Sequence, residues 1–150
     1  MIHTPYQVLY NATKHALVTL MAGLRQELEA AGAPVTVSML CPGFVNTSIL
    51  EAQSRRPERL RNPEPVADTW QSRGPYEQMI QEAIISAIPA EQVAARAVEG
   101  IAAGAFWITT DSGWRSIYLR QTDQLLANSP PSFGPEDIAA LRGDPAGAED

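Results

Sequence analysis

The chain has 150 residues and a net charge of −6, and 45% of its residues are hydrophobic while 19% are charged. That length and composition suit one globular domain, or part of a larger one. The acidic balance argues against a nucleic-acid-binding surface. A single cysteine excludes a disulfide framework and a Cys-based zinc site.

The sequence also predicts no metal site, no membrane partner and no targeting segment. His3 and His15 lack the carboxylate or cysteine spacing of a metal site. No apolar stretch approaches the length of a membrane span, and the amino terminus has no basic region followed by an apolar run. We therefore expect a cytoplasmic protein.

Residues 7–31 have the pattern of one long helix. Leu17, Leu20, Leu24 and Leu28 recur at helical spacing. Apolar side chains also fill the other sides, which predicts burial on more than one face. We expect this helix to cover a sheet and to pair with a second copy of the chain, giving a homo-oligomer.

The rest of the chain predicts strands alternating with helices. Two strands are expected, at Val35–Cys41 and Ala105–Thr110, because both runs are apolar or β-branched and are bounded by Gly, Pro or Asp. Helices are expected over 76–88, 89–103 and 111–126. This order predicts an α/β, partial Rossmann-like fold: a long helix and a short parallel sheet of about two strands, with a helical lid and a crossover.

Three regions follow from this pattern. Residues 1–127 form the folded domain, and within them the proline-rich region 48–88 is the expected lid. In that region Trp70 and Tyr76 could line a substrate pocket or serve packing. Residues 128–150 are rich in Pro, Gly and acidic residues, so we expect a flexible tail, apart from a turn or two near 135–141.

Tyr10 and Lys14 lie one helical turn apart at the head of the long helix. Positions i and i+4 share a helix face, and a cation near a phenol favours the phenolate and lowers its pKa. Such a tyrosine can exchange a proton with an alcohol or carbonyl group near neutral pH. The alternative is an ordinary surface Tyr and a solvated Lys.

The run from Tyr10 through Lys14 to Leu28, followed by a turn and a strand ending in Pro42-Gly43-Phe44-Val45-Asn46-Thr47, closely resembles the short-chain dehydrogenase/reductase family. The resemblance implies the carboxy-terminal half of such an enzyme. The Gly-rich turn that cradles a dinucleotide pyrophosphate has no counterpart here, and no Ser stands ahead of Tyr10.

The resemblance implies a role for each matching residue. Tyr10 would be the general acid/base, and Lys14 would lower its pKa and bind the nicotinamide ribose of NAD or NADP. Pro42, Gly43 and Val45 would lie along the nicotinamide, and Thr47 would cap its carboxamide or a phosphate. The substrate would be a small alcohol or carbonyl compound.

Two functions from different classes follow. The first is a piece of an NAD(P)-dependent alcohol/carbonyl oxidoreductase that is inactive alone. The second is a non-catalytic interaction module or decayed gene fragment that pairs through the apolar helix. On the second interpretation Pro42-Gly43 is a simple strand-ending turn, and Thr47 is the cap of a helix over 48–52.

Overall fold

The computed structural model describes residues 2–52, 54–61 and 75–142. Its helices and strands, in chain order, are α1 (Val8–Ala30), β1 (Met39–Cys41), β2 (Val45–Asn46), α2 (Pro75–Ile85), β3 (Ile88–Pro89), α3 (Ala90–Ala102), β4 (Trp107–Thr109), α4 (Trp114–Leu126) and α5 (Pro135–Arg142). This is an α/β arrangement with a short parallel sheet, as the sequence predicts. Trp70 lies outside the described residues.

Helix α1 ends where its sequence provides a stop. Gly32 adopts φ 62°, a left-handed conformation that glycine reaches without a Cβ penalty. The backbone N–H of Ala33 can then turn back and donate to the carbonyl oxygen of Leu28 at 3.0 Å. This closure satisfies a carbonyl that the end of the helix would otherwise leave unpaired.

The expected burial of α1 against a sheet is wrong within the chain, because none of its residues is buried, and its pairing with a second copy stays a prediction. Leu9 is 83% exposed, and Leu20 and Leu24 are exposed as well. Near the end of the helix, Arg25 contacts the segment that leads into β1. Its side chain donates hydrogen bonds to the side chain of Thr36 and to the carbonyl oxygen of Val37. Many of the apolar side chains of α1 are therefore exposed, while Val18, Met21 and Leu28 are half-buried.

The chain divides into two units, Met1–Gly43 with Ala94–Asp150, and Phe44–Val93. In the first unit β1 pairs with β4 in parallel, with Leu40 opposite Ile108. Pairing covers three residues, shorter than the predicted strands, because β4 begins only at Trp107. The core of this unit is formed by Val37, Met39, Ile108 and Ile117.

Helix α5 packs against α4 within the first unit. Asp137, which is buried, pairs with Arg120 on α4 and accepts the backbone N–H of Gly134 at 2.7 Å. The turn or two predicted near 135–141 is thus confirmed as α5, a packed helix of eight residues. The flexible tail stays a prediction for residues 143–150, which lie outside the described part.

The second unit holds the described portions of the predicted lid. Strand β2 pairs in parallel with β3, with Val45 opposite Ile88, and the Asn46 side chain donates to the carbonyl oxygen of Ile85 at 2.9 Å. The buried residues of α2 are Met79, Ile80 and Ala83. The sequence missed this strand pair because each strand has only two residues.

Replacing Ile117 with Ala should lower the free energy of unfolding by about 2–5 kcal/mol. Ile117 is 1% exposed, so truncation leaves a cavity that neighbouring side chains cannot fully close. Leu125→Ala on the same helix is the control, since Leu125 is 77% exposed. Urea titrations of both variants measure the difference, and equal stabilities would contradict this core assignment.

Candidate functional site

Tyr10 and Lys14 come together on the first turns of α1. The Lys14 Nζ lies 5.3 Å from the centroid of the Tyr10 ring, within the range at which a cation is attracted to an aromatic face. Tyr10 is 58% exposed, and Lys14 is exposed too. Lys14 is also the only lysine in the chain. The shared helix face predicted from their spacing is confirmed, and it is open to a ligand.

The segment before α1 is held from two sides. The buried side chain of Gln121 on α4 accepts the backbone N–H of His3 at 2.8 Å and donates to its carbonyl oxygen at 2.9 Å. From α1, the Asn11 side chain donates to the carbonyl oxygen of Thr4 at 3.1 Å. These bonds fix the chain immediately ahead of Tyr10. Nothing in the sequence signals the distant Gln121 contact.

Pro42 and Gly43 follow the carboxyl end of β1, where the sequence places them, and both are exposed. The backbone N–H of Gly43 donates to the Thr110 hydroxyl at 3.0 Å. A Cβ at position 43 would lie 2.0 Å from a carboxylate oxygen of Asp111, so the position requires glycine unless Asp111 moves. The Pro42-Gly43 turn therefore contacts Thr110 and Asp111, the two residues that follow β4.

Thr110 was not predicted to be part of the site. Its position at the carboxyl end of a predicted parallel strand could have indicated it, because the carboxyl ends of parallel strands meet at one edge of a sheet, where ligands of open α/β sheets bind. Thr110 and Asp111 follow the second strand directly and so had to lie beside Pro42-Gly43.

Val45 and Thr47 belong to the second unit. Val45 is half-buried in β2, and the Thr47 hydroxyl accepts the backbone N–H of Ile49 at 3.4 Å, at the start of a 3₁₀ turn over Ser48–Glu51. The capping interpretation of Thr47 is thus realised, in a 3₁₀ turn instead of a helix. A cofactor contact by either residue stays a prediction.

Cys41 ends β1 next to the turn and is half-buried. Burial raises the pKa of its thiol above the ordinary value, so the thiol is held in the neutral, unreactive form. Among the described residues, no three His, Cys, Asp or Glu side chains lie together as metal ligands would. None of the described helices is long and apolar enough to cross a membrane.

Residues 1–58 match the family model described as short chain dehydrogenase. The fold is similar to the crystal structure of a short chain dehydrogenase/reductase from Burkholderia phymatum in complex with NAD. That match has a TM-score of 0.71 and 32% sequence identity, and it covers 83% of this chain and 44% of that one.

A curated protein, the CLA biosynthesis dehydrogenase/reductase of Lactiplantibacillus plantarum, is 21% identical over 134 residues, which is 87% of this chain and 46% of that protein. The chain thus spans less than half the length of both relatives. Together, the family match, the solved fold and the curated relative show that this chain is similar to part of a short-chain dehydrogenase/reductase.

Proposed function

We propose that this chain supplies the catalytic helix and the nicotinamide-facing turn of an NAD(P)-dependent oxidoreductase acting on alcohols and carbonyl compounds. The observation that carries the proposal is the Tyr10–Lys14 pair, held on one exposed face of α1. The pair lies within residues 1–58, the part that matches the short chain dehydrogenase model.

The chemistry assigned to this chain is proton transfer. In alcohol oxidation the Tyr10 phenolate oxygen would take the hydroxyl proton, and in carbonyl reduction the phenol would return it. The Lys14 ammonium, 5.3 Å from the centroid of the Tyr10 ring, would stabilise the negative charge that develops on the phenol during proton transfer. A bound nicotinamide dinucleotide would accept or supply the hydride.

The residues present fit such a cofactor on its nicotinamide side. An ammonium group and a phenol side by side can hydrogen-bond sugar hydroxyls, since Lys offers three donors and Tyr both donates and accepts. Pro42 and Gly43 add an exposed turn at the carboxyl end of a parallel strand, the usual ligand edge of such sheets. NAD and NADP are not distinguished by these residues.

The sequence shows no Gly-rich pyrophosphate turn, so we propose that activity needs a complementary cofactor-binding half. The test is to place the amino-terminal half of the Burkholderia phymatum relative ahead of this chain; we call the product the joined protein. We expect NAD- or NADP-dependent turnover of small alcohols or carbonyl compounds by the joined protein, and none by residues 1–150 alone. Failure of the joined protein to bind either dinucleotide in calorimetry would contradict the proposal.

A second candidate is an interaction module that pairs with another copy of the chain. The observation that favours it is the uncovered apolar surface of α1, including Leu9, Leu17 and Leu20, since exposed apolar patches mark association sites. Light scattering tests whether the chain pairs through α1. A concentration-dependent dimer that Leu9→Glu and Leu20→Glu abolish would support pairing. A monomer at high concentration would contradict it.

A further inference from the structure

We propose that Thr110 is a positioning residue that anchors the Pro42-Gly43 turn and thereby sets its affinity for the nicotinamide end of the cofactor. The inference rests on the proposed function, because it assigns the turn to a dinucleotide. It goes further by tying cofactor affinity to a residue 67 positions further along the chain, at the end of another strand.

The anchor is a single, well-placed hydrogen bond. The backbone N–H of Gly43 donates to the Thr110 hydroxyl at 3.0 Å, and Thr110 is only 9% exposed. Gly43 lies two residues beyond Cys41, the last residue of β1. The strand ladder therefore no longer holds it, and the threonine hydroxyl takes over as partner for its N–H group.

Thr110 is itself held by a second element. The Arg96 side chain on α3 donates to the backbone carbonyl oxygen of Thr110. Since Thr110 follows β4 directly, it is fixed by the strand on one side and by this arginine on the other. The Thr110 hydroxyl therefore has a defined position from which it can accept the hydrogen bond of the turn.

The Asp111 side chain lies beside Gly43, where a larger residue would meet it. One of its carboxylate oxygens accepts the backbone N–H of Gly113 at 3.1 Å ahead of α4. The other lies 2.0 Å from the place a Cβ on Gly43 would occupy. The Thr110 hydroxyl is thus the partner of the turn, and Gly43 itself is exposed.

The test separates the anchor from the cofactor role. In the 150-residue chain, amide hydrogen exchange at Gly43 is followed by NMR for the wild type, Thr110→Val, Thr110→Ser and Thr109→Val. Thr110→Val removes the hydroxyl at nearly constant volume, Thr110→Ser keeps it, and Thr109→Val makes the same change at an exposed neighbour. We expect exchange at Gly43 to rise roughly 2- to 10-fold in Thr110→Val alone.

The same variants are then compared in the joined protein. We expect Thr110→Val to raise the KM for the dinucleotide while kcat changes less, and Thr110→Ser to restore the wild-type KM. Unchanged Gly43 exchange in Thr110→Val would overturn the anchor, and faster exchange with an unchanged KM would overturn its role in cofactor affinity. A wild-type joined protein that binds no dinucleotide would overturn the proposed function and the cofactor role together, while the exchange data would still decide the anchor.

Discussion

Replacing Tyr10 with phenylalanine is expected to lower turnover by the joined protein by about 10²–10⁴-fold, the usual cost of losing a general acid/base. The change removes only the phenolic oxygen and its proton, and it leaves the ring that faces Lys14 in place. The dissociation constant for the dinucleotide should stay close to the wild-type value. Steady-state kinetics and calorimetric titration of the same preparation measure both quantities.

Tyr118→Phe is the matched control for this change. Tyr118 lies on α4, where its ring contacts Trp114 edge-on, and phenylalanine keeps that contact. We expect its turnover to equal that of the wild type. Wild-type turnover in Tyr10→Phe as well would end the assignment of Tyr10 as the proton-transfer group.

Lys14→Met is expected to reduce both kcat and dinucleotide affinity. The ammonium would stabilise the phenolate and bind the ribose hydroxyls, so its loss should affect both steps. Hydrogen bonds to a charged group contribute about 1.5–3 kcal/mol, which corresponds to roughly 10- to 100-fold in affinity. Lys14→Arg should restore only part of the loss, since a planar guanidinium does not replace a compact ammonium.

Arg115→Met provides the control for loss of one positive charge, because Arg115 is exposed on α4 and has no assigned role at the site. If Lys14→Met and Arg115→Met gave the same small change, the effect would be one of net charge, and Lys14 would be an ordinary surface residue. A rate loss without any affinity loss would contradict the assigned ribose contact.

Local pattern was sufficient to predict most of the fold. The leucine spacing places α1 within a residue at each end, and Gly32 ends it by the mechanism that its position suggests. The parallel pairing of β1 with β4 also follows from the alternation of strands and helices. Strand lengths were overestimated, because an extended run becomes a strand only where a partner pairs with it.

What the sequence could not supply were contacts between distant positions. The hydrogen bonds between Gln121 and His3 join residues far apart in the chain. They depend on where α4 lies in three dimensions. The spacing of Tyr10 and Lys14, by contrast, is a local property of one helix, and so their juxtaposition was predictable.

The central claim is that this chain forms the nicotinamide side of a dinucleotide site, and NMR of the joined protein tests it most directly. Titration with NAD, and in parallel with NADP, should shift the amide signals of Tyr10, Lys14 and Gly43 with one common dissociation constant. Signals from α5 should stay in place. Saturable binding of a dinucleotide that leaves all three of those signals unmoved would contradict the account.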